Sequence, residues 1–314
     1  MTGNDGRDRT NAKTSAVNRR NVLLAGTTIA AASAVGSAAP TRTAQAQPPP
    51  AAAAGRKPNI LMIMSDDVGW YNPSTRHRGV MGYRTPNIER IGNEGALFTD
   101  WYGKQRSSAG NAAFFEGQSP IRTGLDIGLR VVDPSVVELL KPFGYATGQF
   151  GKNHPGDEDE RLPTNHGFEE TVGDAVCAAA LDFIDRQHRA NRPWLCSFNA
   201  TRMHVDTQLQ AQAQGKTGRS LYPDALVEHD GHVGQLLDKL DHLGVADSTI
   251  VVYTTDDGAE EMSRPDGGNT AFASEKATNW QGGYRVPMVI RWPGVIRPGT
   301  IYKRDVGLRS NCQL

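Results

Sequence analysis

Short, unbroken apolar runs alternate along the chain with segments whose apolar residues recur every three or four positions. Asn59-Ile60-Leu61-Met62-Ile63-Met64, Trp194-Leu195-Cys196-Ser197-Phe198 and Thr249-Ile250-Val251-Val252-Tyr253-Thr254 are the runs expected of strands buried on both faces of a parallel sheet. Gly148-Gln149-Phe150 predicts a further strand. Val233, Leu236, Leu237, Leu240 and Leu243 share one helical face, with Gly244 placed to end that helix in a left-handed C′ position. Ala179, Phe183 and Ile184 predict a second helix before Arg192-Pro193, and residues 134–140 a third. Strand and helix alternate throughout. The predicted class is therefore an α/β sandwich with a mostly parallel central sheet flanked by helices.

The first 46 residues carry a different pattern. Asn18-Arg19-Arg20-Asn21-Val22-Leu23-Leu24 opens a run of small apolar residues that reaches Ala39, and Ala44-Gln45-Ala46 fits a cleavage site. This predicts a twin-arginine signal peptide over 1–46, hence the twin-arginine export machinery as a partner and a periplasmic or secreted destination. The run is rich in Ala, Gly, Ser and Thr, which favours a cleaved signal over a spanning helix, and no later segment predicts a membrane span. Pro48-Pro49-Pro50 and the alanines 51 to 54 mark residues 47–56 as a linker.

Charge changes the picture little. The chain has 34 basic and 34 acidic residues, and without residues 1–46 it has 28 against 32. No block of like charge offers a footprint for nucleic acid or an anionic membrane. Cys177, Cys196 and Cys312 lack the paired spacing of a disulfide framework or a thiolate metal site.

In open parallel sheets, ligands bind beyond the carboxyl ends of the strands. Asp66-Asp67 follows the first predicted strand, Asp256-Asp257-Gly258 the Thr249 strand, Lys152 and His154 the Gly148 strand, and His204 the Trp194 strand. Oxygen-rich clusters of this kind suit a hard cation such as Ca2+ or Mg2+. An Asp pair after a strand also caps the next helix often enough that either pair alone would be ambiguous. His77, His166, His188, His229, His232 and His242 read as surface or satisfied core residues. Ser107-Ser108-Ala109-Gly110 reads, by itself, as a turn.

From about Lys57 to Gly299 the chain resembles a type I sulfatase of the arylsulfatase family, within the alkaline phosphatase superfamily. The resemblance is carried by Pro58-Asn59-Ile60-Leu61, Ser65-Asp66-Asp67-Val68-Gly69-Trp70, Thr85-Pro86-Asn87-Ile88, Gly95-Ala96-Leu97-Phe98-Thr99 and residues 117–124. Gly148 to His154, Asp256-Asp257-Gly258-Ala259-Glu260 and Gly282-Gly283-Tyr284-Arg285-Val286-Pro287 complete it. It implies an alkaline phosphatase-like sandwich that hydrolyses small-molecule sulfate esters at a Ca2+ site. It also implies a nucleophile, formylglycine, made from a cysteine or serine by a formylglycine-generating enzyme. By position, Asp66, Asp67, Asp256, Asp257 and the formylglycine position Ser107 would hold the metal. Lys152, His154, His204 and Lys276 would bind sulfate and move protons.

The chain departs from the family pattern at several points. Asn111 stands where the motif that begins at Ser107 ends in arginine, and Asn supplies neither the charge nor the fork of donors. Asp257 replaces the usual Asn, which predicts tighter cation binding and weaker sulfate binding. Gln281 stands where Glu usually precedes the glycine pair. The segment after Phe168 is short for the family, and residues 300–314 read as an unrelated tail replacing the C-terminal subdomain. Two further readings follow: a phosphate-ester hydrolase using unmodified Ser107, and a truncated remnant that binds a cation without turnover.

Overall fold

The computed structural model describes residues 57–122, 134–152, 162–173, 176–204, 207–268 and 271–303, and the backbone of 306–307. The expected signal peptide, the linker to residue 56 and His154 lie outside the described residues.

All four runs predicted as strands are strands: β1 (Asn59–Ser65), β4 (Ala146–Gly151), β6 (Trp194–Asn199) and β7 (Thr249–Thr255). They sit side by side in the order β4-β6-β1-β7, all parallel. β5 (Glu170–Val172) extends the sheet beyond β4. Beyond β7 come β8 (Met288–Arg291), antiparallel to both its neighbours, then β2 (Ala96–Phe98) and β9 (Thr300–Tyr302). The sheet is mostly parallel, as the alternation of elements predicted. β3 (Trp101–Tyr102) and β10 (Val306–Gly307) form a separate short pair. Residues 300–302, expected to begin an unrelated tail, instead pair with β2 as an edge of the main sheet.

Alternate residues of a strand face opposite ways, and β1 feeds two cores. Leu61 and Ile63 pack with three helices: α2 (Pro86–Asn93), α5 (Val176–Arg189) and α6 (Leu221–His242), through Ile88, Phe183, Ile184, Val233, Leu236 and Leu240. Met62 and Met64 pack on the other face with α3 (Ser107–Glu116) and α4 (Val136–Leu140), through Ala113, Phe115 and Val137. The elements α1 (Ser74–His77) and α7 (Gln281–Tyr284) are single turns.

Two local outcomes shape the site. The predicted α6 ends as expected, with Gly244 left-handed at φ 63°, but begins a dozen residues earlier than its leucine repeat. Ser107-Ser108-Ala109-Gly110 is not a turn but the first turn of α3, whose apolar half, Ala112 to Phe115, is buried. Among the described residues no helix is long and apolar enough to cross a membrane.

Candidate active site

Because β4, β6, β1 and β7 are adjacent and parallel, their carboxyl ends share one edge of the sheet, and the polar residues that follow them meet there. Ser65 ends β1 with its hydroxyl 3.0 Å from the Thr254 carbonyl, locking the end of β1 to that of β7. Asp66 and Asp67 follow. Asp67 is held at φ 54°, a left-handed conformation that costs a residue with a Cβ about 1–3 kcal/mol. The surroundings impose it. The Asp67 N–H points to Asp256 Oδ1, and its carbonyl lies 3.1 Å from the buried Tyr222 hydroxyl, which is also 2.9 Å from Asn72 Oδ1.

Carboxylate oxygens of Asp66, Asp67 and Asp256 all lie within 4.8 Å of one another and all three residues are buried. Asp257, also buried, adjoins this group: its carboxyl meets that of Asp67 and is reached by Ser107 and Lys276. Asp256 is satisfied by protein: Oδ1 accepts from the Asp257 N–H at 2.9 Å, and Oδ2 accepts from Asn111 Nδ2 at 3.1 Å. Asp67 Oδ2 and Asp257 Oδ1 are buried with no hydrogen-bond partner among the described residues.

Two lysines enter from opposite sides. Lys152, just past β4, places Nζ 2.5 Å from Asp66 Oδ2. Lys276 bonds Asp67 Oδ1 and lies 3.9 Å from Asp257 Oδ2. Its loop is tied down by Lys276 N–H to the Ala259 carbonyl at 3.0 Å, by Ala277 N–H to Gln105 at 2.8 Å, and by the Glu275 carboxylate on the Met262 N–H at 2.9 Å. Ser107 lies between the acids, its hydroxyl 3.2 Å from Asp66 Oδ1 and 3.3 Å from Asp257 Oδ2, and its one proton can go to either.

Burial dominates the electrostatics. It raises the Asp66 carboxyl to about 6, with the Asp67 charge adding to it and Lys152 opposing, and it raises Asp256 to about 7, with Asp66 adding. Asp67 is pushed the same way by burial, and Asp257 well above the carboxylate range by burial and then by Asp256 and Asp67. Lys276 moves up, since the nearby carboxylates outweigh its own burial. With all four carboxyls ionised, two ammonium groups would leave two negative charges in a buried space, which burial resists by favouring the protonated forms. Together with two carboxylate oxygens lacking partners, that is the donor set of a hard divalent cation, so the residues fit the metal that the sequence implies.

Of the remaining expected residues, His204 lies half-buried after β6, its carbonyl accepting the Thr207 N–H at 2.9 Å. The bland reading of His229 needs correction, because it is fully buried but both ring nitrogens lack partners among the described residues. Two site residues escaped the sequence reading, Asn72 and Tyr222, which shape the Asp67 turn, and so did the contact that Asn111 makes to Asp256. Asn111 sits one helical turn from Ser107 and also donates to the Ser107 carbonyl at 3.0 Å, in the position where the family motif carries arginine. The spacing of Ser107 and Asn111 puts both on one face of a helix, a signal that becomes readable once the segment is recognised as helical.

The fold is an alkaline phosphatase-like α/β sandwich with a buried acidic site at the carboxyl edge of its sheet. The family model described as Sulfatase matches residues 58–177 and 158–312, and the chain belongs to the sulfatase family. N-acetylgalactosamine-6-sulfatase of Mus musculus is 29% identical over 78% of this chain and 59% of its own length. Arylsulfatase A of Homo sapiens is 28% identical over 79% of this chain and 61% of its own. The crystal structure of a sulfatase from Pseudoalteromonas superposes with a TM-score of 0.76 at 23% identity, covering 82% of this chain and 66% of that one. The chain thus spans about three-fifths of the length of these curated relatives.

Proposed function

We propose that the protein hydrolyses sulfate esters of small alcohols or phenols, with the oxygen at position 107 as nucleophile and Asp66, Asp67, Asp256 and Asp257 holding Ca2+, or Mg2+ in its place. One observation carries this reading: the buried Ser107 hydroxyl stands at the start of a helix, within hydrogen-bond reach of two of those carboxylates, with a lysine on either side. A carboxylate within hydrogen-bond reach of a hydroxyl can accept its proton, and ammonium groups neutralise the oxygens of an arriving anion. Bound calcium would polarise the ester and lower the pKa of the nucleophile. Lys152 and Lys276 take the charge of the sulfuryl group, while His204 and His154 are the proton carriers for the leaving alcohol and the nucleophile.

Conversion of Ser107 to formylglycine by a serine-acting modifying enzyme, and delivery by the twin-arginine machinery to the periplasm or beyond, belong to the same proposal. Asn111 supports a second reading, in which Ser107 stays a serine and attacks a phosphate ester. It fills the space of the motif arginine with a neutral side chain already bonded to Asp256.

Peptide mass spectrometry of the Ser107-to-Arg122 tryptic fragment, on protein from its own host, separates the two. A loss of two hydrogens at Ser107 with turnover of an aryl sulfate is the expected result, abolished by Ser107→Ala. An intact serine with turnover of an aryl phosphate selects the second reading. Silence toward both esters in saturating calcium leaves a cation-binding remnant.

A further inference from the structure

Asn199 is the last residue of β6, paired with Met64 of β1 on one side and Gly151 of β4 on the other. It therefore stands between the strand that delivers Asp66 and the strand that delivers Lys152. The strands meet closely here: the Lys152 N–H donates to the Asn199 carbonyl at 2.8 Å, and a Cβ on Gly151 would sit 1.9 Å from that same oxygen. Gly151 is also at φ 115°, so no other residue fits beside Asn199.

The Asn199 side chain is 3% exposed. Its carboxamide oxygen accepts from Ser197 Oγ at 2.6 Å, which sets the orientation of the group and turns the NH2 away from Ser197. That Nδ2 is buried and has no partner among the described residues. Buried N–H groups are almost always paired in folded proteins, so an unpaired one calls for a ligand or a water. Asn199 lines a cavity together with Ser65, Asp66, Asn111, Lys152 and Asp256, and the space, about 10 Å3, admits one oxygen atom.

We propose that Asn199 Nδ2 is an anion-binding donor of the active site, taking one oxygen of the tetrahedral group alongside Lys152. This rests on the sulfate-ester reading and adds a residue to it. A carboxamide suits the place because it offers a hydrogen bond without a charge. It strengthens as negative charge gathers on the anion oxygen and does not compete with the cation for the carboxylates, as a third lysine would. Ser197 acts through Asn199 as a positioning residue, keeping the NH2 turned toward the cavity.

The test is calorimetric titration of inorganic sulfate, and separately phosphate, into the full-length chain in saturating calcium, with the thermal midpoint of every variant recorded. Asn199→Ala should raise the sulfate Kd about tenfold while leaving the calcium Kd within about twofold, since one hydrogen bond to a charged group is lost and no ligand of the cation is touched. Asn199→Asp keeps the shape and the acceptor for Ser197 but replaces the donor with an anion, and should raise the sulfate Kd further. It decides the matter alone if the alanine variant does not fold. Ser197→Ala should give a smaller rise. Sulfate affinity unchanged in both Asn199 variants, with the parent binding normally, overturns the inference and leaves the sulfate-ester reading standing. A parent chain that binds neither anion in saturating calcium overturns both.

Discussion

Asn111 shows how one side chain can serve two masters within a buried acidic site. Its NH2 holds the Asp256 carboxylate at 3.1 Å and the Ser107 carbonyl at 3.0 Å, so it ties the start of α3 to the end of β7. Asn111→Ala should cost about 2 kcal/mol in metal-free denaturant unfolding, because a buried carboxylate oxygen loses a donor. Calcium should recover part of that loss by taking up the same oxygen, and a deficit of equal size with and without calcium would place Asn111 outside the metal's reach. Why Asp66, Asp67, Asp256 and Asp257 were legible in the sequence while Asn72, Tyr222 and the reach of Asn111 to Asp256 were not follows from distance along the chain. The aspartates sit directly after apolar runs that announce themselves as strands. Tyr222 reaches the Asp67 turn across 155 positions, and Asn111 reaches Asp256 across 145, a separation that carries no local pattern.

At the level of elements, α3 is where local pattern misleads. Ser-Ser-Ala-Gly reads as a turn because small polar residues and glycine favour turns, yet the segment is helical because the four apolar residues that follow bury themselves against the sheet. Gly110 is there for contact, not for flexibility: a Cβ would lie 2.6 Å from the Asp256 carbonyl oxygen and 2.8 Å from the Asp256 Cβ. Glycine to alanine inside a helix ordinarily stabilises by about 0.5–1 kcal/mol. Gly110→Ala should do the opposite, costing about 1–3 kcal/mol as α3 is forced away from the end of β7. It should also weaken calcium binding, since Ser107 and Asp256 then separate. A stabilised variant in urea melts would show that α3 does not press on the metal site. The strands β1, β6 and β7 were legible because each is an apolar run with few rivals, whereas β4, Ala-Thr-Gly-Gln-Phe-Gly, is marked only by the short Gly148-Gln149-Phe150 segment ahead of Lys152. β2, β8 and β9, at three or four residues each, are too short for any period to establish itself.

Over the whole molecule, the acidic site sets a conflict between folding and ionisation that a bound cation would resolve. Carboxyls raised by burial stabilise the fold while protonated, fully so below their unfolded value near 4, and that contribution is lost as pH rises through the folded value. Asp66 near 6 and Asp256 near 7 lose it around neutrality, and Asp257, raised furthest, loses it later still. Buried Asp230, also raised to about 6, adds to the same trend. His229, lowered to about 3 by burial, and His77 and His232, lowered the same way, pull in the opposite direction, since their neutral forms are favoured in the fold and stability falls as pH drops below the unfolded histidine value. Above pH 7 the histidines are neutral in both states, and the carboxylates set the slope, joined above about pH 8 by the Cys177 and Cys196 thiols, which burial holds protonated in the fold. In chelator, the thermal midpoint should therefore fall between pH 7 and pH 9, by about 5 °C if two kcal/mol are lost. In millimolar calcium the fall should vanish or reverse, because a cation that binds only the folded, ionised site gains on the proton as pH rises. Asp257→Asn removes the most strongly raised carboxyl and should flatten the metal-free profile. A fall as steep in Asp257→Asn as in the parent chain would assign the alkaline instability to groups elsewhere.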